Sequence, residues 1–318
     1  MLLRALRSLL TGLALGLLAY GLAAQPRGGE ARVVIVSSDS TAAYMEAAQA
    51  LIAELGSGGV SPYDIRRLSL AEWSASADRP ASPKLYVALG TQAATALALG
   101  QTQAPVLVAL VPRASFERVL AASGRKASSN FTAIYLDQPV ARQLAMLRLA
   151  LPKAKRIGVL WGPDSWLKAS GFRSAALANG YSVNEAGLEG KSNVFSDLPQ
   201  VLDGSDVFLA VADPMVFNSN SIQNILLTTF RAQVPVVAFS PAYVRAGALL
   251  ALHATPEQAG RQAGGLVLNT MRGQSLPERP LESNDFEVAI NDHVARVFGL
   301  SLDAKALRLA LRRAEHLP

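Results

Sequence analysis

The sequence predicts an α/β protein with two doubly wound parallel-sheet lobes. Apolar segments typical of strands alternate with amphipathic segments typical of helices, and this alternation starts again at residue 155. The strand segments are continuously apolar, as in parallel sheets that helices cover on both faces. The length of 318 residues fits two such units, since a domain commonly has about 150 residues.

The first series predicts five strands and the helices that connect them. The strands are expected at residues 32–37, 63–68, 84–89, 105–111 and 131–136. The helices are expected at residues 41–55, 91–99 and 139–151. In the first of these helices, Ala47 and Leu51 lie on one apolar face, which should pack on the sheet.

The second series repeats the pattern. Its strands are expected at residues 155–161, 181–186, 207–211, 234–239, 248–253 and 286–290. Its helices are expected at residues 165–179, 219–233 and 256–272. A final amphipathic helix at 303–315 carries Leu307 and Leu311 on its apolar stripe, which should pack on its own lobe.

Residues 1–24 predict a secretory signal peptide. Arg4 and Arg7 precede an apolar run over 9–22, and Gly21 and Ala23 form a small-residue pair before the expected cleavage. An uncleaved membrane anchor is the alternative, but the run is shorter than the roughly 20 residues that a spanning helix needs. We therefore expect an exported mature protein.

Composition excludes several classes of function. The net charge is +6, but basic residues are scattered rather than clustered, so no nucleic-acid partner is expected. The chain has no cysteine, which excludes disulfides and thiolate zinc sites. The histidines, His253, His293 and His316, are far apart and lack metal-ligand spacing. We therefore expect no metal and no cofactor.

Catalytic motifs are missing from the sequence. The first strand runs into a serine-rich turn instead of G-x-G-x-x-G, and residues 187–192 have two residues between glycines where a phosphate loop needs four. No G-x-S-x-G elbow occurs, and His253 has no evident nucleophile partner. The chain is therefore expected not to be an enzyme.

Two strand ends of the first series offer polar groups, and ligands of open α/β sheets bind at such ends. Ser38 and Asp39 follow the first strand and could bind a ligand or cap the next helix. Gly90, Thr91 and Gln92 open a helix whose amides and dipole favour an anion, although a plain turn explains them too.

Two strand ends of the second series are further candidates. Trp161, Asp164 and Trp166 belong to a polar loop flanked by aromatic rings, which could bind a planar ligand, although tryptophan more often packs in a core. Asp213 could bind a ligand amine, or it could simply form a turn.

The order of residues in the second half is similar to that of one known family, and parts of the first half also match. The matching segments are Asp213-Pro214, 234–239 (VPVVAF), 243–249 (YVRAGAL), Gly260 and Gly264, and in the first half 90–94 (GTQAA) and 156–160 (RIGVL). The chain resembles the substrate-binding proteins of ABC transporters, in the group that includes tryptophan/tyrosine uptake receptors.

This resemblance implies a class I periplasmic binding protein fold with a three-crossing hinge. The N-terminal lobe would comprise 25–135 plus 247–278, and the C-terminal lobe 136–246 plus 279–318. The chain would cross between the lobes near residues 135–138, 246–248 and 277–280.

The resemblance also implies a ligand site and partners. The loop at Gly90–Gln92 would receive a ligand carboxylate and Asp213 its amino group, with Ser240 and Tyr243 nearby. Relatives have Asp-Pro where this chain has Pro112-Arg113, so Arg113 either favours a more acidic ligand or faces solvent.

The function implied is that of a periplasmic, monomeric protein that delivers a small ligand, such as an amino acid or related carboxylate, to an ABC permease. A ligand sensor that signals to a membrane protein, or that accompanies an outer-membrane uptake system, needs the same cleft and is the alternative.

Overall fold

The computed structural model describes residues 32–75, 83–100, 102–188 and 194–315. The expected signal peptide at 1–24 and His316 lie outside these residues. Among the helices described, none combines the length and apolar character that a membrane span requires.

The first sheet has five parallel strands in the order β2-β1-β3-β4-β5. The strands are β1 Val33–Ser37, β2 Ile65–Ser69, β3 Leu85–Leu89, β4 Val106–Val111 and β5 Phe131–Tyr135. The helices between them are α1 Ala42–Ser57, α2 Leu70–Ala75, α3 Thr91–Leu99 and α4 Arg113–Ser123. Every residue of β1 and β3 is buried, as expected from their continuous apolar sequences.

The second sheet has six strands in the order β11-β10-β9-β8-β6-β7, and only β11 is antiparallel to its neighbour. The strands are β6 Arg156–Trp161, β7 Ser182–Gly187, β8 Val207–Leu209, β9 Val236–Ala238, β10 Leu250–His253 and β11 Glu287–Ile290. The remaining helices are α5 Val140–Ala150, α6 Ala169–Ala178, α7 Val194–Leu202, α8 Ile222–Arg231, α9 Pro241–Ala246, α10 Pro256–Met271, α11 Asp292–Val297 and α12 Ala304–Ala314.

Each sheet has an apolar core on both of its faces. In the N-terminal lobe, Ala263 and Val267 of α10 pack with Leu51 of α1 against one face of the first sheet. In the C-terminal lobe, Leu311 of α12 is fully buried and Leu307 packs beside it. The expectation that the last helix packs on its own lobe is therefore confirmed.

The lobes exchange chain at three points, and two of these differ from the sequence-based expectation. The first crossing, 136–139, follows β5. The expected boundary at 247 is wrong, because Leu250 of β10 pairs with Val237 of β9 and so lies in the second sheet. The second crossing therefore follows β10, at 254–255. Leu281 still bridges to Ile134 beside the first sheet, which moves the third crossing to 282–286.

A buried arginine joins the first and third crossings. Arg142 in α5 is 5% exposed, and its Nη1 donates hydrogen bonds to Oε1 of Gln138 at 2.7 Å and to the Ser283 carbonyl at 3.0 Å. Its Nε donates to Glu315 at 2.8 Å, and the guanidinium lies 4.6 Å from the Phe286 ring centroid. The last helix is thus tied to the hinge through Glu315.

Helices α1 and α10 approach each other closely at a glycine. A Cβ atom on Gly260 would lie 2.2 Å from the carbonyl oxygen of Ala47. That neighbour is backbone, which cannot move aside as a flexible side chain can. On the same helix, a Cβ on Gly265 would meet nothing within 4 Å.

Gly260→Ala should lower the free energy of unfolding by about 1–3 kcal/mol, because the added methyl group forces α1 and α10 apart. Gly265→Ala is the matched control, and should be neutral or stabilising by up to about 1 kcal/mol, since alanine favours a helix interior more than glycine. Urea unfolding of both variants tests this, and equal losses in both would contradict the close contact.

Candidate functional site

A cavity of about 620 Å³ lies between the lobes beside the hinge. Its volume is within the range of about 300–1,000 Å³ that is usual for small-molecule sites. The N-terminal lobe contributes Ala43 and Glu46 from α1, Pro112 after β4 and Pro256 at the start of α10. The hinge and the C-terminal lobe supply the rest of the lining.

The C-terminal lobe lines the cavity mainly with the ends of three strands. These segments are 209–212 at the end of β8, 237–241 at the end of β9 and 252–253 at the end of β10. All three strands are parallel, so their carboxyl ends lie at one edge of the sheet, where open α/β sheets bind ligands. Met146, Val211, Phe239 and Leu252 give this wall an apolar character.

The cavity carries little positive charge. Among the lining residues that the structure describes, none is lysine or arginine. Asp137 accepts hydrogen bonds from the Arg113 amide at 2.7 Å and from Lys168 Nζ at 2.9 Å, so its charge is already compensated. Glu46 forms no ion pair with any described residue, which leaves its carboxylate available to a ligand cation.

Two buried polar atoms beside the hinge lack hydrogen-bond partners within the described ranges: Nε2 of Gln138 and Nδ1 of His253. Both residues line the cavity, and Gln138 is only 6% exposed. Burial lowers the pKa of His253 below its ordinary value, against the smaller opposite effect of the Ala251 carbonyl. A buried polar group left unpaired typically costs about 1–3 kcal/mol.

An ion pair joins the lobes outside the cavity lining. Nε of Arg118 in α4 lies 3.3 Å from Oδ2 of Asp164, which follows β6 in the other lobe. More than half of the Arg118 side chain is exposed, so the pair contributes at most about 1 kcal/mol. Asp164 therefore has a contact between the lobes instead of a place in the cavity lining.

The serine-rich turn after β1 caps helices. Ser38 Oγ accepts a hydrogen bond from the Ala93 amide at 2.8 Å, so Ser38 caps α3 and not the next helix along the chain. Asp39 Oδ1 accepts from the amides of Ser40 and Thr41, at the start of α1. Neither Ser38 nor Asp39 lines the cavity.

Gly90, Thr91 and Gln92 form the start of α3, as expected. Gly90 has φ +87°, and a Cβ there would lie 2.6 Å from the Tyr44 ring, so only glycine fits this turn. The three residues lie outside the described cavity lining. They follow β3, which lies between β1 and β4 in the sheet, and the segments that follow β1 and β4 do line the cavity. Gln92 is exposed at that sheet edge.

The aromatic candidates do not line the cavity. Trp161 is 1% exposed in the core of its lobe, packs on Phe172 and donates from Nε1 to Glu185 at 2.7 Å. Trp166 lies against Gly187, where an added Cβ would be 2.5 Å from its ring. Tyr243 packs on Phe217 and Phe239. Trp161 is therefore a core residue. Trp166 is 43% exposed, and the expectation that Trp166 and Tyr243 form a ligand wall stays a prediction.

Asp213 has a structural role in a turn, which was the alternative to ligand binding in the sequence-based expectation. It is 1% exposed, and its Oδ2 accepts hydrogen bonds from the amides of Asp164 and Ser165 and from Ser165 Oγ, at 2.8–3.1 Å. Its Oδ1 accepts from the Met215 amide at 2.9 Å. The carboxylate fastens the turn after β6, and its four bonds leave no role in binding a ligand amine.

Of the remaining candidates, Ser240 and Arg113, only Ser240 lines the cavity. Ser240 lines the cavity, and its Oγ caps α9 by accepting from the Ala242 amide at 3.3 Å. Arg113 does not line the cavity; its guanidinium lies 5.1 Å from the Tyr135 ring centroid, with Nε 3.7 Å from Glu117. The expectation that Arg113 favours an acidic ligand therefore has no support from the cavity.

Sequence analysis missed Glu46, Gln138 and His253. His253 ends a predicted strand, which is a usual position for a ligand contact, but the sequence motifs tested there were those of metal sites and catalytic triads. Gln138 lies in the expected first crossing, and hinge residues that face a cleft carry no sequence motif. Glu46 lies on the exposed face of a helix, where a carboxylate is ordinary.

Known proteins with similar sequences and folds are substrate-binding proteins. A family model described as ABC transporter substrate binding protein matches residues 78–313. A tyrosine-binding protein of Clostridioides difficile is 25% identical over 222 residues, which cover 68% of this chain and 63% of that protein. The chain thus spans less than two thirds of this relative's length.

Two solved structures have the same fold at lower identity. A ligand-free, open substrate binding protein with adhesive properties from Clostridium difficile is 20% identical, with TM-score 0.66, and the match covers 86% of this chain and 96% of that one. An ABC domain in complex with L-Trp from Streptococcus pneumoniae is 15% identical, with TM-score 0.61 and coverage of 87% and 97%.

Asp213→Ala should lower the free energy of unfolding by about 3 kcal/mol or more, because three backbone amides and a hydroxyl lose a buried acceptor. Asp203→Ala, an exposed substitution in the same lobe, is the control and should stay within about 0.5 kcal/mol. Denaturant unfolding distinguishes them. An Asp213→Ala protein of normal stability that has lost ligand affinity would restore the ligand role.

Replacing His253 should change how stability depends on pH. Because burial lowers the folded-state pKa, the unfolded chain takes up a proton first as pH falls below about 6.5. The wild type should therefore lose stability as pH falls through the folded-state pKa of His253, and His253→Gln should lose less. Unfolding at pH 5 to 8 tests this, with the exposed His293→Gln as control. Parallel curves for wild type and His253→Gln would refute it.

Proposed function

Since the chain belongs to the family of ABC transporter substrate-binding proteins, we propose that it captures one small molecule between its lobes and delivers it to an ABC permease. The family shares this type of binding role, and the fold is that of class I periplasmic binding proteins. The observation that carries the proposal is the cavity of about 620 Å³ at the strand ends beside the hinge.

Closure of the lobes is the mechanical step in this function. Three crossings join the lobes, and rotation about such a hinge closes a cleft around its ligand. The ion pair between Arg118 and Asp164 bridges the lobes directly and would form in the closed arrangement. Its exposure makes it a weak contact, so ligand contacts supply most of the preference for closure.

The ligand class that we propose is an amino acid, with aromatic ones as the first candidates. One named relative is a tyrosine-binding protein, and one named structure is in complex with L-Trp. The start of α3 supports a carboxylate contact, since Thr91 and Gln92 lie at its positive end. Ser38 accepts from Ala93 through its oxygen, which leaves its hydroxyl proton for the carboxylate.

The ligand amino group requires an acidic partner other than Asp213. Glu46 lines the cavity and forms no ion pair with the described residues, so we assign it this contact. It belongs to α1, which approaches the start of α3 where Tyr44 meets Gly90. A carboxylate and an amine separated by one carbon would then both be bound by the N-terminal lobe.

The proposed receptor is exported and acts as a monomer. The signal-peptide pattern at 1–24 supports export to the periplasm, where such a receptor meets its permease. No catalytic step is assigned to the protein, because its proposed role is to bind and release an unchanged ligand.

Thermal unfolding in the presence of each of the twenty amino acids should identify the ligand. A ligand at about 100 times its dissociation constant should stabilise the folded protein by about 2.7 kcal/mol, which raises the melting temperature measurably. Glu46→Gln should weaken binding at least tenfold by calorimetry, and the exposed Glu278→Gln should leave it unchanged. A wild type that no amino acid stabilises would overturn the ligand class.

A further inference from the structure

The end of the C-terminal lobe opposite the cavity is formed by the amino ends of parallel strands. β6 to β10 all run in the same direction, so their amino ends lie at one edge of the sheet. The helices α5, α6, α8 and α9 each precede one of these strands and therefore end at the same edge. β11 is antiparallel, and Ile290 at its end pairs with Leu250 at the start of β10, which brings α11 there too. We call this end of the lobe the lobe base.

Direct contacts join the helices of the lobe base. Nδ2 of Asn291, at the start of α11, donates a hydrogen bond to the Val244 carbonyl of α9 at 2.9 Å. The rings of Phe230 in α8 and Phe298 after α11 have centroids 6.4 Å apart. The helix ends thus form one continuous surface, although the residues on it are far apart in the sequence.

Exposed basic side chains are concentrated on the lobe base. Within the described part of the chain, six of them at this edge form no ion pair with a carboxylate. They are Arg148, Lys153, Lys155, Arg231, Arg245 and Arg296. Their positions in the sequence are scattered, and the fold brings them together.

Fewer carboxylates lie at this edge. Asp206 is already paired with Arg156 at 2.8 Å. Asp303 is accompanied by Lys305 at the start of α12, so these two charges offset each other. The other carboxylates at the edge, among the described residues, are Asp203 and Asp292. The lobe base therefore has a clear excess of positive charge.

Helix dipoles explain only part of this pattern. A cation in the last turn of a helix interacts favourably with the helix dipole, which accounts for Arg148, Arg231 and Arg245 one at a time. Lys153 and Lys155 lie in the loop before β6, outside any helix. The dipole also gives no reason for apolar side chains to be exposed beside the cations.

Such apolar side chains are present on the lobe base. Leu177, near the end of α6, is 72% exposed. The others, each 38–46% exposed, are Leu149, Leu227, Phe230 and Val297. Single exposed apolar side chains are ordinary, but several at one end of one lobe indicate a binding surface.

An anionic lipid bilayer matches both properties of this surface. Its headgroups attract lysine and arginine, and its interface takes up apolar side chains. A nucleic acid would use the cations alone, because binding to its phosphate backbone is electrostatic. An acidic protein would need carboxylates in a fixed arrangement, whereas lipids can move sideways to meet cations spread over several helix ends.

We propose that the lobe base binds reversibly to the surface of an anionic lipid bilayer. The cavity lies at the opposite edge of the same sheet, so a bound molecule keeps its cleft away from the lipid and accessible to ligand. This inference goes beyond ligand capture and does not depend on which ligand enters the cleft.

Sedimentation of the mature protein with lipid vesicles tests the proposal. The wild type should bind vesicles of equal parts phosphatidylcholine and phosphatidylglycerol about tenfold or more tightly than vesicles of phosphatidylcholine alone. This preference should disappear in about 1 M salt, where the Debye length falls to about 3 Å.

Variants of the lobe base should weaken binding to the anionic vesicles. Arg231→Gln combined with Arg296→Gln should cost about tenfold or more, since each cation near such a surface contributes roughly fivefold in affinity. Leu177→Gln should cost roughly threefold or more, because less apolar area enters the interface. Urea unfolding should leave the stability of these variants close to that of the wild type, since the replaced side chains are exposed.

Arg66→Gln combined with Arg67→Gln is the matched control. Both arginines are exposed on β2 in the other lobe and form no ion pair with a described residue, so this variant loses the same charge elsewhere. Its vesicle binding should change less than about twofold. Equal binding of the wild type to both kinds of vesicle, or equal losses in the two double variants, would overturn the proposal. Neither result bears on amino-acid binding, which is measured without lipid.

Discussion

The buried guanidinium of Arg142 is the contact on which the hinge depends. It bonds to Gln138 in the first crossing, to Ser283 in the third and to Glu315 after the last helix. Breaking a buried pair of this kind typically costs about 3–5 kcal/mol, because a charge is left in the protein interior. The same contact fixes the orientation of the Gln138 amide in the first crossing.

Hydrogen-bond saturation separates structural from functional polar residues in this protein. Asp213 and Gln138 are both buried polar residues next to the cleft. Asp213 has four donors around its carboxylate and fastens a turn, whereas Nε2 of Gln138 is buried without a partner among the described residues. The sequence offered Asp213 as a ligand contact and gave no signal for Gln138, and only the positions of their neighbours in the structure assign their roles.

Most of the strands and long helices could be predicted because their signal is local. Continuous apolar runs gave β1 and β3, and helical spacing gave α1 and α10. Short helices such as α9 and α11, of six residues each, are too short for periodicity and were missed. The sheet that β10 joins is a non-local property, because a buried apolar strand suits either sheet. For the same reason, Trp161 at the end of a predicted strand could not be assigned to core or cleft from sequence.

The placement of ligand contacts on both lobes determines whether binding can close the cleft. A ligand shifts an equilibrium between open and closed forms only through a difference in its affinity for the two. The apolar wall at the ends of β8, β9 and β10 belongs to one lobe and is present in either form. Glu46 and Pro112 come from the other lobe, and Gln138 lies in the chain that bends between them. A ligand that engages all of these is bound completely only when the lobes are together, so recognition and closure are the same event.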